Sequence, residues 1–206
     1  YGVVARDKIF LLFIGAVILN KVIFGNIDFY LPVHLSDSFK TTTIFGFEIY
    51  GQRMLTIFVM LNTLIIIFSM TFVNQLTNKW SERKSLTTGA LLQGLGFAAA
   101  FLMNSFIPLI LASIVMTIGE MILVPSSQSL RADLMNEEKI GTYSGFVTIT
   151  DPIGSVLSGS LVSFSVYIHH TGVAVVMVVV TVLLVLCFNQ VMKMKTQAEI
   201  ASSKNT

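Results

Sequence analysis

Four ionisable side chains stand inside stretches otherwise apolar enough to cross a lipid bilayer: Lys21, Asp28, Glu120 and Asp151. Each can hold a proton or attract an ion. A charged group at membrane depth costs roughly 2.5–3.5 kcal/mol to insert, so its presence points first to function. Glu120 is the most isolated of the four. It lies in IVMTIGEMILVPSSQSLRADLMNEEK (114–139), with no basic residue in its apolar segment and with Pro125 close behind. Lys21 and Asp28 are about 10 Å apart along a helix axis and nearly on one face. Asp28 precedes Pro32, and Asp151 directly precedes Pro152. Plainer roles exist for three of them. Lys21 is then a counter-ion for a carboxylate, Asp28 a shallow acid that reaches the external interface, and Asp151 a partner for backbone groups freed by Pro152.

Other chemistries find little support. The three histidines, His34, His169 and His170, all fall at the outer ends of apolar segments, away from Glu120. An intramembrane enzyme needs a buried Ser–His dyad, paired aspartates or a metal cluster. The only cysteine, Cys187, sits in the apolar run TVLLVLCFNQ and excludes a disulfide framework or a multi-cysteine metal site. No enzyme, metal or cofactor is therefore expected. A channel or scaffold predicts a continuous polar stripe or no deep acids, and neither pattern is present.

The chain is 54% hydrophobic and only 12% charged, with mean hydropathy +0.80. About 25% charged residues is usual in a soluble domain, so a multi-pass membrane protein is expected. A net charge of +2 is too small to imply nucleic acid. Six segments approach the roughly 20 apolar residues of a transmembrane helix: 9–31, 54–76, 86–103, 107–124, 143–168 and 172–192. Tight turns are expected at 104–105 and 169–171. The first residue is Tyr1, and the sequence reads as a segment of a longer protein, with a membrane unit over 1–196 and a polar, disordered cytoplasmic tail over 197–206.

Lysine and arginine placement orients the segments. Arg6, Lys8, Lys79, Arg83, Lys84, Arg131, Lys139, Lys193, Lys195 and Lys204 collect on one side, against Lys40 and Arg53 on the other. Both termini are thus expected in the cytoplasm, with the helices in the plasma membrane. The first external loop, SDSFKTTTIFGFEIYGQR, carries four aromatics and reads either as a cap against the outer leaflet or as a substrate lid. Gly89, Gly94 and Gly96 in the third segment, and Gly154, Ser155, Ser158 and Gly159 in the fifth, allow close helix packing. Asn136 suits the N-cap of a short helix. The first and fourth segments each carry an acid followed by a proline, which matches a design of two inverted three-helix repeats with sites near the midplane.

Three stretches resemble the major facilitator superfamily and, within it, the LmrP-type multidrug/proton antiporters of Gram-positive bacteria. They are DFYLPVHLSDSFKTTTIFGFEIYGQRMLTI (28–57), IGEMILVPSSQSLRADLMNEEKIGTYSG (118–145) and, more loosely, the basic loop LTNKWSERKS (76–85). The resemblance implies an all-α fold of six transmembrane helices, the C-terminal half of a twelve-helix transporter whose N-terminal six-helix half is its partner. It also implies embedded carboxylates that couple protons and recognise cationic substrates, here Asp28 and Glu120. It carries no role to Lys21 or Asp151, left as possible charge compensation. The expected function is proton-driven efflux of amphiphilic, cationic drugs, with the proton gradient as energy source and lipid as surroundings. Transport of another small solute, such as a sugar, peptide or metabolite, is the alternative. A desolvated carboxylate takes up a proton more readily than one in water, so proton and cation can compete for it. Asp28 would load protons and Glu120 recognise the drug. At the cytoplasmic end, Arg83 and Lys84 are expected to latch onto Glu82 or Asp133, with Arg131 contributing.

Overall fold

The computed structural model describes residues 7–203. Arg6 and Lys204, and the last residues of the polar tail, lie outside the described residues. The chain opens with α1 (Lys8–Gly25), capped by Asp7, whose carboxylate accepts from the Phe10 N–H at 3.0 Å. After a turn over 26–29 come α2 (Tyr30–Ser38), a hairpin of β1 (Thr42–Ile44) and β2 (Phe47–Ile49), and α3 (Gly51–Thr77). Then follow α4 (Glu82–Leu102), α5 (Phe106–Leu134), a 3-10 turn (Glu137–Lys139), α6 (Ile140–Thr148) and α7 (Thr150–Ser203). Asn136 caps the 3-10 turn as expected, its side-chain oxygen accepting from the Glu138 N–H at 2.9 Å.

Among the described residues, five segments are long and apolar enough to cross a membrane: Lys8–Ser38, Gly51–Thr77, Glu82–Leu102, Phe106–Leu134 and Ile140–Ala201. The last has 62 residues, about 90 Å of straight helix against a hydrocarbon core of about 30 Å. It is not straight. His169 has φ 56 and ψ 174, outside the helical region and in backbone space that favours glycine. Before it, α7 runs alongside α1 in the same direction: Asp151 meets Lys21, Ser158 meets Gly25 and Gly159 meets Phe29. Beyond it, the helix returns along α4 in the opposite sense, with Thr181 against Gly94, Asn189 against Arg83 and Lys195 against Glu82.

The bundle therefore has two distinct ends. One holds the hairpin, the bond between His34 Nε2 and the Met103 carbonyl (2.9 Å), the Lys40 N–H on the Asn104 carbonyl (2.8 Å) and the reversal at His169. The other holds Trp80, Asp133 and Lys195. The core between them contains Phe10, Phe13, Phe58, Phe97 and Phe101, all fully buried. α4 and α5 cross almost backbone to backbone: a Cβ on Gly89 would lie 2.7 Å from the Leu123 nitrogen, one on Gly96 2.7 Å from the Met116 nitrogen, and one on Gly119 against the Gln93 backbone. Only glycine permits that approach.

Three expectations need correction. The first apolar segment is not one helix over 9–31, because α1 stops at Gly25 and the chain turns through 26–29. Gly25 and Asn26 are poor helix formers, and Pro32 sits in the first turn of α2, where its missing N–H costs nothing. The fold is not purely helical: within the loop over 36–53 stands the β1–β2 hairpin, a small two-stranded sheet beside the helices. The tail from 197 is helical as far as Ser203 rather than disordered, continuing α7 by simple propagation of its hydrogen bonds.

Candidate functional site

Glu120 is the central residue of α5, fourteen positions from Phe106 and fourteen from Leu134, or about 21 Å from either end. Its side chain is half-buried. Asn62, near the middle of α3 and itself buried, donates from Nδ2 to Glu120 Oε2 at 2.9 Å and to Thr117 Oγ1 at 3.1 Å. Thr117 gives its own proton to the Ser113 carbonyl at 2.7 Å, so its oxygen is left to accept. Both amide protons of Asn62 thus point at acceptors, which fixes the amide orientation. Ser113 in turn donates to the Phe58 carbonyl at 3.4 Å. The result is a ladder of polar groups between α3 and α5 with one carboxylate at its end. Among the described residues, no cation lies within 4.0 Å of that carboxylate.

Asp28 lies in the turn between α1 and α2, exposed, with no hydrogen-bond or ion-pair partner for its carboxylate among the described residues. The helix break falls at the acid itself. Beside it, the buried Asn26 donates to the Val22 carbonyl at 2.6 Å, and its own side-chain oxygen has no partner. The structure brings Lys21 to Asp151 rather than to Asp28: the ammonium lies 2.6 Å from Asp151 Oδ1, with 43% and 63% of the two side chains exposed. Along α1 the ammonium is offset from Asp28 by two turns, whereas α7 carries Asp151 directly over it. Gly154 makes that crossing possible, since a Cβ there would lie 2.5 Å from the Lys21 Cβ.

The pairing expected of Arg83 and Lys84 with Glu82 or Asp133 is not made among the described residues; Lys195 takes both acids instead. Lys195 Nζ lies 2.6 Å from Asp133 Oδ2 and 3.3 Å from Glu82 Oε2, tying α4, α5 and α7 together. Arg83 instead donates to the Asn189 side-chain oxygen, and the Lys84 ammonium sits 4.2 Å from the centre of the Trp80 ring. Arg83 and Lys195 thus both join α4 to the returning arm of α7, Arg83 through Asn189 and Lys195 through Glu82. Arg131 is exposed beside a cavity of about 500 Å³ that Gln128 and Ser144 also line.

Sequence reasoning missed Asn62 and Lys195. Asn62 had a usable signal, a lone amide within the apolar run MLNTLIII; Lys195 had none beyond its charge. Among the described residues, no group of three His, Cys, Asp or Glu side chains is placed to hold a metal ion.

Residues 12–202 match the family model of the Major Facilitator Superfamily. The chain is 28% identical over 163 residues to a Na(+), Li(+), K(+)/H(+) antiporter of Planococcus maritimus, a match covering 77% of this chain and 38% of that protein. Two solved structures share its fold, each with a TM-score of 0.71. A POT family transporter in complex with 5-aminolevulinic acid is 18% identical and matches 89% of this chain and 41% of its own. A POT family transporter in complex with a thioalcohol-conjugated peptide is 16% identical and matches 92% and 41%. The chain thus spans about two fifths of the length of these proteins. Its apolar helices, their packing and the match over nearly its whole length lead to one assignment: the chain belongs to the Major Facilitator Superfamily of membrane transporters.

Proposed function

We propose that the protein exports amphiphilic, cationic compounds in exchange for protons, with Glu120 as the shared site for proton and cation. The observation that carries this reading is the Glu120 carboxylate at mid-helix, hydrogen-bonded by Asn62 and without a cationic neighbour among the described residues. A carboxylate in that setting attracts a cation, and protonation discharges it. Occupancy by one or the other then biases the exchange between inward- and outward-facing states. Asp28, exposed at a helix break nearer the hairpin end, is the proposed proton-loading residue. Broken helices near ion sites recur in transporters.

In this reading α7 is two membrane crossings joined at His169, which makes six in all, arranged as two inverted three-helix repeats. The chain is then one half of the transporter, the C-terminal half, with both its ends in the cytoplasm of a plasma-membrane protein. The coverage of about two fifths of each similar structure supports a half. The central cavity lies against a second six-helix half. Lys21 and Asp151 compensate each other's charge on the face that opens toward it, and the Lys195–Glu82–Asp133 cluster holds the cytoplasmic ends together.

The relative from Planococcus maritimus favours a second reading, exchange of alkali cations for protons. The oxygens of Glu120 and Thr117 suit a small, hard cation as well as an organic one. Everted vesicles carrying the intact protein separate the two. Proton-driven uptake of cationic dyes into these vesicles, the inverted form of export, that collapses on Asp28→Asn or Glu120→Gln supports drug export. Proton release driven by sodium or potassium, with dyes inert, supports the alkali-cation reading. Transport of neither, with normal expression, leaves a neutral or anionic solute as the substrate and removes the proposed role of Glu120.

A further inference from the structure

The hairpin at one end of the bundle has an apolar face that outruns its support. By register, Thr42 pairs with Ile49 and Ile44 with Phe47, so these four side chains share one face and Thr43 and Glu48 the other. Ile49 is buried at the base of that face, while Phe47 is 73% exposed and Phe45, in the turn, 96%. Phe45 and Gly46 both have positive φ, 52 and 81. A two-residue turn of this kind strongly prefers Asn or Gly at both positions. A bulky aromatic held there, strained and with almost no contact to the protein, needs a partner outside it.

Between the hairpin and the first turns of α3 runs a groove of about 460 Å³, lined by Ile44, Phe45, Phe47, Glu48, Arg53 and Ile57 among others. It continues at helical spacing onto the exposed apolar residues Met60, Leu64, Ile67 and Phe68. Arg53 closes its polar end. The guanidinium donates to the Glu48 backbone carbonyl and lies 4.9 Å from the centre of the Tyr50 ring, with no carboxylate within 4.0 Å among the described residues. α3 is 27 residues long, about 40 Å against a hydrocarbon core of about 30 Å. Arg53, in its first turn, therefore stands at headgroup level and the groove just below it.

We infer that this groove seats a phospholipid of the adjacent leaflet, its phosphate on Arg53 and the upper part of its acyl chain against Phe45, Phe47 and Ile57. An uncompensated guanidinium matches phosphate, and exposed aromatics are stable at the lipid–water boundary. The hairpin is thus a membrane anchor for the outer end of α3.

The test uses the intact protein in vesicles whose phosphatidylcholine is brominated high on its acyl chains, with Phe45→Trp as reporter and the unsubstituted protein as the fluorescence blank. The expected result is a blue-shifted emission, strongly quenched by the brominated lipid. Arg53→Gln should lose about half of that quenching and Arg53→Lys should retain it, since a cation still meets the phosphate. Red-shifted emission quenched by aqueous iodide overturns the inference. So does blue-shifted emission that brominated lipid leaves untouched, which means protein covers the groove. Equal loss in Arg53→Lys and Arg53→Gln also overturns it, because Arg53 then only props the hairpin.

Discussion

Asn62 on α3 holds Glu120 on α5 through a 2.9 Å hydrogen bond, at the middle of both helices. A hydrogen bond to a charged group contributes about 1.5–3 kcal/mol, and 1.4 kcal/mol is a factor of ten in affinity. Asn62→Leu is therefore expected to weaken cationic substrate binding about tenfold, measured by titration of the purified intact protein. Unchanged affinity means that Glu120 needs no orienting partner.

Lys21 and Asp151 should behave as a unit. In a double-mutant cycle read by thermal unfolding, Lys21→Ala and Asp151→Ala are expected to couple by about 0.5 kcal/mol, within the range for partly exposed pairs. Lys21→Ala and Asp28→Ala should add independently. Coupling of Lys21 to Asp28 instead means that the ion pair changes partners in the membrane.

The α4–α5 crossing is expected to be intolerant of one extra carbon. Gly119→Ala puts a methyl group onto the Gln93 backbone and should cost about 1–3 kcal/mol, seen as a lowered unfolding temperature. Gly15→Ala and Gly141→Ala, with nothing within 4 Å of the new carbon, serve as controls and should be near neutral.

The reversal at His169 carries strain that glycine relieves. His169→Gly is expected to stabilise by about 1 kcal/mol, the strain of a non-glycine residue there less the entropy of the new glycine. His169→Val should destabilise. Equal stabilities in the same unfolding assay mean that the histidine ring contributes contacts worth as much as the strain.

Much of this architecture can be read from residue order, because lipid leaves few choices for a polar backbone. The apolar segments around Phe58, Phe97 and Met116 become helices, and the deep acid Glu120 stands out against them. The glycines at 89, 94 and 96 announce the close crossing that α4 makes. What stays hidden is helix rotation and register. Asn62 is one amide in an apolar run until α3 turns it toward Glu120. Lys195 is one of many cations on its side until the return of α7 lays it between Glu82 and Asp133, partners 113 and 62 residues away. Lys21 finds Asp151 for the same reason. The break after Gly25 is written in Gly25–Asn26, but the apolar residues on either side mask it.

The central claim is that one carboxylate serves both proton and cation. Its most direct measurement is proton-gradient-driven export of cationic dyes, read as uptake into everted vesicles carrying the intact protein, with and without Glu120→Gln. Loss of export of every cationic dye, at normal expression and with a neutral substrate still bound, is the predicted result. Unchanged export of those dyes by Glu120→Gln contradicts the account.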